Sequence, residues 1–98
     1  MKEADRRMTA GDLRIRLDAH ERGAQTLDLM EKLGFSLDFV AGSVLSVSEV
    51  TVAQTAMLWQ GMPNKHDRKR TRQLFDALSD VGLLHALDAQ GETWHPSL

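Results

Sequence analysis

Apolar and polar residues along this chain repeat with two different periods, and the change between them marks its main division. Between residues 65 and 81, Leu74, Phe75, Leu78 and Val81 recur at spacings of three and four, which predicts a helix with one buried stripe. Its first half, Lys65-His66-Asp67-Arg68-Lys69-Arg70-Thr71-Arg72, is cationic. After Gly82 the period drops to about two through Leu83, His85 and Leu87. Asp88-Ala89-Gln90-Gly91-Glu92 is turn chemistry, and Thr93-Trp94-His95 is the return strand of a hairpin.

The N-terminal half reads as a series of helices. Met1 to Met8 is polar, mixed in charge and uncapped, which predicts a frayed end. Thr9 can cap a helix with Asp12 three residues later, an imperfect capping box because Glu or Gln is usual there. The next residues admit two readings. Leu13, Ile15 and Leu17 alternate with Arg14, Arg16 and Asp18, as in a half-exposed strand. Leu13, Leu17 and Ala24 also fit a helical stripe with Arg14–Asp18 and Asp18–Arg22 ion pairs, and the surrounding helix formers favour this second reading. Gly23 is its expected break. Leu27, Met30 and Leu33 mark a clearer helix over 24–33, closed by Gly34 and Phe35. Ser36 caps a short helix with Leu37, Val40 and Val44 on one face. Ser46 to Ser48 connects to a helix containing Ala53, Met57 and Trp59, started by Ser48, with a short strand at Val50-Thr51-Val52 as the alternative.

Composition narrows the class. Ninety-eight residues suit one domain with one modest core, and 42% hydrophobic with 5% aromatic residues fits a small, mainly helical protein. The chain has no cysteine, which excludes disulfides, thiolate metal sites and cysteine nucleophiles. No apolar run approaches the roughly 18 residues of a membrane span, so the expectation is a soluble, cytoplasmic protein with no membrane partner. The formal charge is −2, yet residues 65–72 hold five Lys/Arg against Asp67, a local +4 that leaves −6 for the remainder. An acidic body with one concentrated basic helix points to a localised anionic partner.

Helix, turn, basic helix and hairpin in this order resemble a winged helix-turn-helix domain. Thr51-Val52-Ala53 through Trp59 and Gly61 is similar to the second helix of that motif and its closing turn, Arg68 to Val81 to its recognition helix, and Gly82-Leu83-Leu84 to the exit into the wing. The resemblance implies a mainly α (α+β) fold: a winged helix with extra N-terminal helices and a C-terminal β-hairpin wing. It implies one domain over 1–98, with residues 1–8 flexible, N-terminal helices over 9–47, and the helix-turn-helix plus wing over 48–96. It further implies a small sequence-specific regulator of transcription that binds double-stranded DNA through the basic helix 65–81. The N-terminal helices exceed what the minimal motif needs, so they are the candidates for a homodimer surface, with Leu13, Leu17, Leu27 and Met30 forming part of it or else completing the core.

On the basic helix, the apolar stripe turns Lys69, Arg72, Gln73 and Asp76 outward and puts Arg68 at the flank, while Arg70 falls near the stripe and must snorkel. Lys65, Arg68, Lys69, Arg70, Arg72 and Gln73 are the candidate DNA-binding residues, since Arg and Lys suit phosphates and guanine edges and Gln suits adenine edges. The hairpin loop carries Asp88 and Glu92 and no cation, which favours a second reading: a non-catalytic adaptor or inhibitor that presents the basic helix to an acidic protein. Trp59, Met57 and Met62 are expected in the core, and Trp94 opposite Leu87, packed on the basic helix. If Gln90-Gly91 are the two turn residues, Ala86 faces His95, and His85 points to the opposite side; a one-residue slip in register would reverse this. That separation, with no third ligand, predicts no metal site, and His20 and His66 are expected at the surface. No glycine-rich phosphate loop, activated nucleophile or paired carboxylates is present, so no catalytic residue and no cofactor is expected.

Overall fold

In the computed structural model, which describes residues 8–60 and 65–97, the chain is mainly helical with one small antiparallel sheet. Helices α1 (Ala10–Asp18) and α2 (Gly23–Leu33) lead into α3 (Leu37–Phe39), which continues as a π-helical turn, Val40–Val44. Strand β1 (Val50–Thr51) precedes α4 (Val52–Gln60) and the basic helix α5 (Lys65–Asp80); β2 (Leu84–Ala86) and β3 (Thr93–Pro96) close the fold. The sheet order is β1-β3-β2, so the last strand lies between the other two. Among the described residues, no helix is long and apolar enough to cross a membrane.

Local chemistry sets the helix ends. The Asp12 N–H donates to Thr9 Oγ1 at 3.1 Å and the Thr9 N–H to Asp12 Oδ2 at 3.3 Å, so the shorter carboxylate completes the capping box. The segment carrying Leu13 and Leu17 is therefore helical, and both side chains are fully buried. Gly23 opens α2 instead of ending α1: a Cβ there would lie 1.6 Å from the Leu17 carbonyl oxygen, so only glycine lets the two helices turn this closely. Because α1 stops at Asp18, Arg22 loses helical register with that residue and reaches Asp80 at 3.6 Å; Arg14–Asp18 forms as expected, at 3.8 Å. Gly34 ends α2 at φ +86°, and the Phe35 N–H returns to the Met30 carbonyl. Ser36 Oγ accepts from the Phe39 N–H and starts α3.

Three placements differ from the sequence reading. Helix α4 is capped by Thr51, not Ser48, as the alternative with a short strand there allowed: Thr51 Oγ1 accepts from the Gln54 N–H at 2.9 Å while Gln54 Oε1 accepts from the Thr51 N–H at 3.1 Å. This box leaves Val50–Thr51 extended and available to β3. Met57, expected in the core, is 50% exposed, because α4 buries Val52, Thr55, Ala56 and one side of Trp59 instead; Met62 lies outside the described residues. Met8 is buried, its N–H donating to Ser46 Oγ, which in turn donates to the Ala41 carbonyl. Residues 1–7, the rest of the segment expected to fray, also lie outside the described residues.

One core joins all of these elements. Phe75, Leu74 and Leu78 of α5 share one buried cluster with Leu13 and Leu17 of α1, Met30 of α2, Val40 and Val44 of the π turn, and Trp94 of β3. Trp94 meets Phe75 edge-on, with ring centroids 5.4 Å apart, and its Nε1–H donates to the Gly91 carbonyl at 2.6 Å. The stripe Leu74, Phe75, Leu78 and Val81 is buried as its periodicity predicts. Leu13, Leu17 and Met30 are buried in this same core, so three of the four residues expected to form a dimer surface have no area left to offer one.

The hairpin register is one residue away from the expected one. Ala86 pairs with Trp94, His85 with His95, and Leu84 with Pro96. A two-residue Gln90-Gly91 turn does not form. Asp88 instead organises a wider loop: its carbonyl accepts from the Gly91 N–H, and Oδ1 accepts from the Glu92 N–H at 2.9 Å. Leu87, the expected partner of Trp94, is exposed. The shift places His85 and His95 on one face of the sheet, with ring centroids 5.4 Å apart, and not on opposite faces.

Candidate nucleic-acid interface

Helix α5 begins at Lys65, so Lys65, His66 and Asp67 belong to the helix and at most four residues separate it from α4. Its buried line runs through Asp67, Thr71, Leu74, Phe75 and Leu78. Lys65, Arg68, Lys69 and Gln73 are all exposed, at intervals of three, one and four residues, and therefore share the opposite face. Cations in a first turn oppose the helix dipole, whose N-terminal end is positive. This placement does not help the isolated helix. It does sum the dipole and the side-chain charge in one direction, toward an anion.

Two of the expected contact residues are engaged inside the protein. Arg70 lies over the adjoining Phe35 and Trp59 rings, its guanidinium carbon 5.4 and 5.0 Å from their centroids. Its Nε donates to the Leu33 carbonyl at 3.1 Å, Nη2 donates to the same oxygen, and Nη1 pairs with Asp67 at 3.3 Å. An arginine near the apolar stripe thus turns inward and satisfies a terminal carbonyl of α2 instead of snorkelling outward. Arg72 leans toward the hairpin: Nη2 donates to the Gln90 carbonyl at 3.0 Å, Nε lies 3.7 Å from Asp76, and the guanidinium sits 5.9 Å from the Trp94 ring centre.

The remaining cationic face gains Lys32 from the tertiary structure, and His66 of α5 itself lies beside it. Lys32 and Leu33 of α2, with His66, Lys69, Arg70 and Gln73 of α5, line an open cleft of about 410 Å³. His66 could have been found in the sequence, since it lies three residues before Lys69. Lys32 carried no such signal, because only the packing of α2 on α5 brings it there. The far end of α5 is acidic, with Asp76 and Asp80 exposed, as are Asp88 and Glu92 in the hairpin loop. The Glu92 N–H holds the Asp88 carboxyl below its ordinary value, and the Thr93 hydroxyl and the Gly91 and Gln90 amides add to this. This surface is therefore polarised, cationic at the start of α5 and anionic at the hairpin.

Comparison with protein-family models, curated proteins and solved structures finds no match. Among the described residues, no three His, Cys, Asp or Glu side chains converge to hold a metal ion.

Proposed function

We propose that this chain is a small sequence-specific DNA-binding protein of the winged-helix type, a regulator of transcription that inserts α5 into the major groove. The observation that carries the reading is the exposed face of α5, where Lys65, Arg68, Lys69 and Gln73 stand on the side opposite the buried stripe. The order helix, β1, α4, α5, hairpin supports it, as does the pairing of β1 with β3, because a strand before the second helix that joins the wing is a feature of such domains. Lys69 and Arg68 suit phosphate, and Gln73, a turn further along, suits an adenine edge. Lys32 adds a positive group beside Lys69 from a second element.

A second reading has its own observation. The hairpin loop offers Asp88 and Glu92 to solvent, and Arg72, which reaches that loop, is held by Gln90 and Asp76. A wing of this charge does not grip phosphate and fits a protein partner instead, with α5 docked on an acidic surface. Fluorescence anisotropy of a random duplex separates the two. A DNA binder loses affinity linearly in log[salt], with a slope set by the number of phosphates it neutralises. Absence of any duplex binding at low salt would refute the first reading and favour the second.

A further inference from the structure

We propose that His85 and His95 form a two-histidine chelating site for a divalent transition-metal ion of the Zn2+, Ni2+ or Cu2+ class, on the outer face of the hairpin. The site is independent of the DNA-binding reading. The two residues are direct cross-strand partners on β2 and β3, their ring centroids lie 5.4 Å apart, and the planes are tilted by 47°. Two imidazoles bound through Nε2 to one tetrahedral ion, at Zn–N distances of roughly 2.0–2.1 Å, place their centroids about 5 Å apart. The rings therefore stand at the separation that a chelate requires, and the strand pairing sets that separation.

Ser97 supplies the outer shell. Its Oγ lies 2.6 Å from His85 Nδ1. When Nδ1–H donates to that hydroxyl, the lone pair of the ring resides on Nε2, the tautomer a metal ion requires, and the ring is held in place. The surroundings suit a cation: none of the three strands contains Lys or Arg, and Thr93, two residues from His95, adds another hydroxyl to the same face. An ion bound here ties β2 to β3 and adds positive charge to a hairpin whose loop carries Asp88 and Glu92. Imidazole donors favour these borderline ions over Ca2+ or Mg2+, which require oxygen.

Calorimetric titration of the metal-free chain with Zn2+ near neutral pH tests the site. The expected result is saturable binding, with a thermal unfolding midpoint that rises with Zn2+ concentration. His85→Gln and His95→Gln should each weaken binding to the level of the double variant, because either change removes the chelate. Ser97→Ala should weaken it by roughly tenfold or more, the usual effect of losing an outer-shell partner. Far-UV circular dichroism of the four variants should match the parent. On the unmodified chain, acidification to about pH 5 should release the ion, because protons compete with it for the imidazole nitrogens. No saturable Zn2+ binding overturns the proposal. So does binding that survives both single substitutions, or that persists at about pH 5 as a carboxylate site would.

Discussion

Arg70 Nε donates to the backbone carbonyl of Leu33, 37 residues earlier in the chain, at 3.1 Å. The contact joins the start of the basic helix to the end of α2 and draws one cation out of the outer face into a bracket of Phe35, Trp59 and Asp67. Arg70→Ala should therefore cost stability, roughly 1.5–3 kcal/mol for a charged hydrogen bond removed from a half-buried setting. Arg70→Lys should recover only part of this, since a point charge cannot fork to one carbonyl and one carboxylate together. Chemical denaturation measures both. An Arg70→Ala chain as stable as the parent, but weaker on DNA, would show that this side chain serves the partner and not the fold.

Lys69 and Arg68 are exposed and belong to no core contact. Lys69→Ala should weaken duplex binding for all sequences alike and lower the salt slope by about one, with stability within about 0.5 kcal/mol of the parent. Anisotropy at several salt concentrations reads the slope. Lys32→Ala should have the same character if the cleft between α2 and α5 follows the phosphate backbone.

Arg72 tests the hairpin. It is held by the Gln90 carbonyl and Asp76, so Arg72→Ala should first loosen the loop over 87–92. Amide hydrogen exchange should show faster exchange at Gly91 and Glu92. Unchanged exchange there, with a lost preference at a single base pair, would mean that Arg72 leaves the hairpin to read a base.

Leu17 is fully buried in α1 against the core. Leu17→Ala should cost about 2–5 kcal/mol, as large-to-small core changes do, and so should Leu78→Ala on α5. For Leu17 the experiment also addresses association. A dimer surface there would give a sedimentation change with little loss of stability, the opposite of what its burial requires.

Asp88 gives a pH dependence with a definite sign. The Glu92 N–H favours its charged form and lowers its pKa from the ordinary 3.8. A carboxyl whose value is depressed by folding stabilises the folded chain above its unfolded value, and that contribution is lost as the pH falls through the lower folded value. NMR titration should show the Glu92 amide shifting together with the Asp88 carboxyl, at a pH below 3.8. A Glu92 amide that titrates at or above this value would break the link.

Some of this protein was determined by its sequence alone. The period of three and four fixed the buried stripe of α5, and Thr9, Gly34 and Ser36 marked helix ends, because caps and amphipathic stripes depend on residues only a few positions apart. The concentration of charge at 65–72 was equally local. Tertiary structure decided the rest. Arg70 and Arg72 have the same side chain, two residues apart, yet one turns into the α2 terminus and the other to the hairpin, because different partners wait on the two sides of the helix. Whether Leu13, Leu17 and Met30 belong to the core or to an interface depended on how much of the core the other elements filled. The hairpin register depended on the loop that Asp88 organises and on the buried indole whose N–H needs the Gly91 carbonyl. Side chains alternate along a strand, so that single residue of register determined whether His85 and His95 stand apart or face each other.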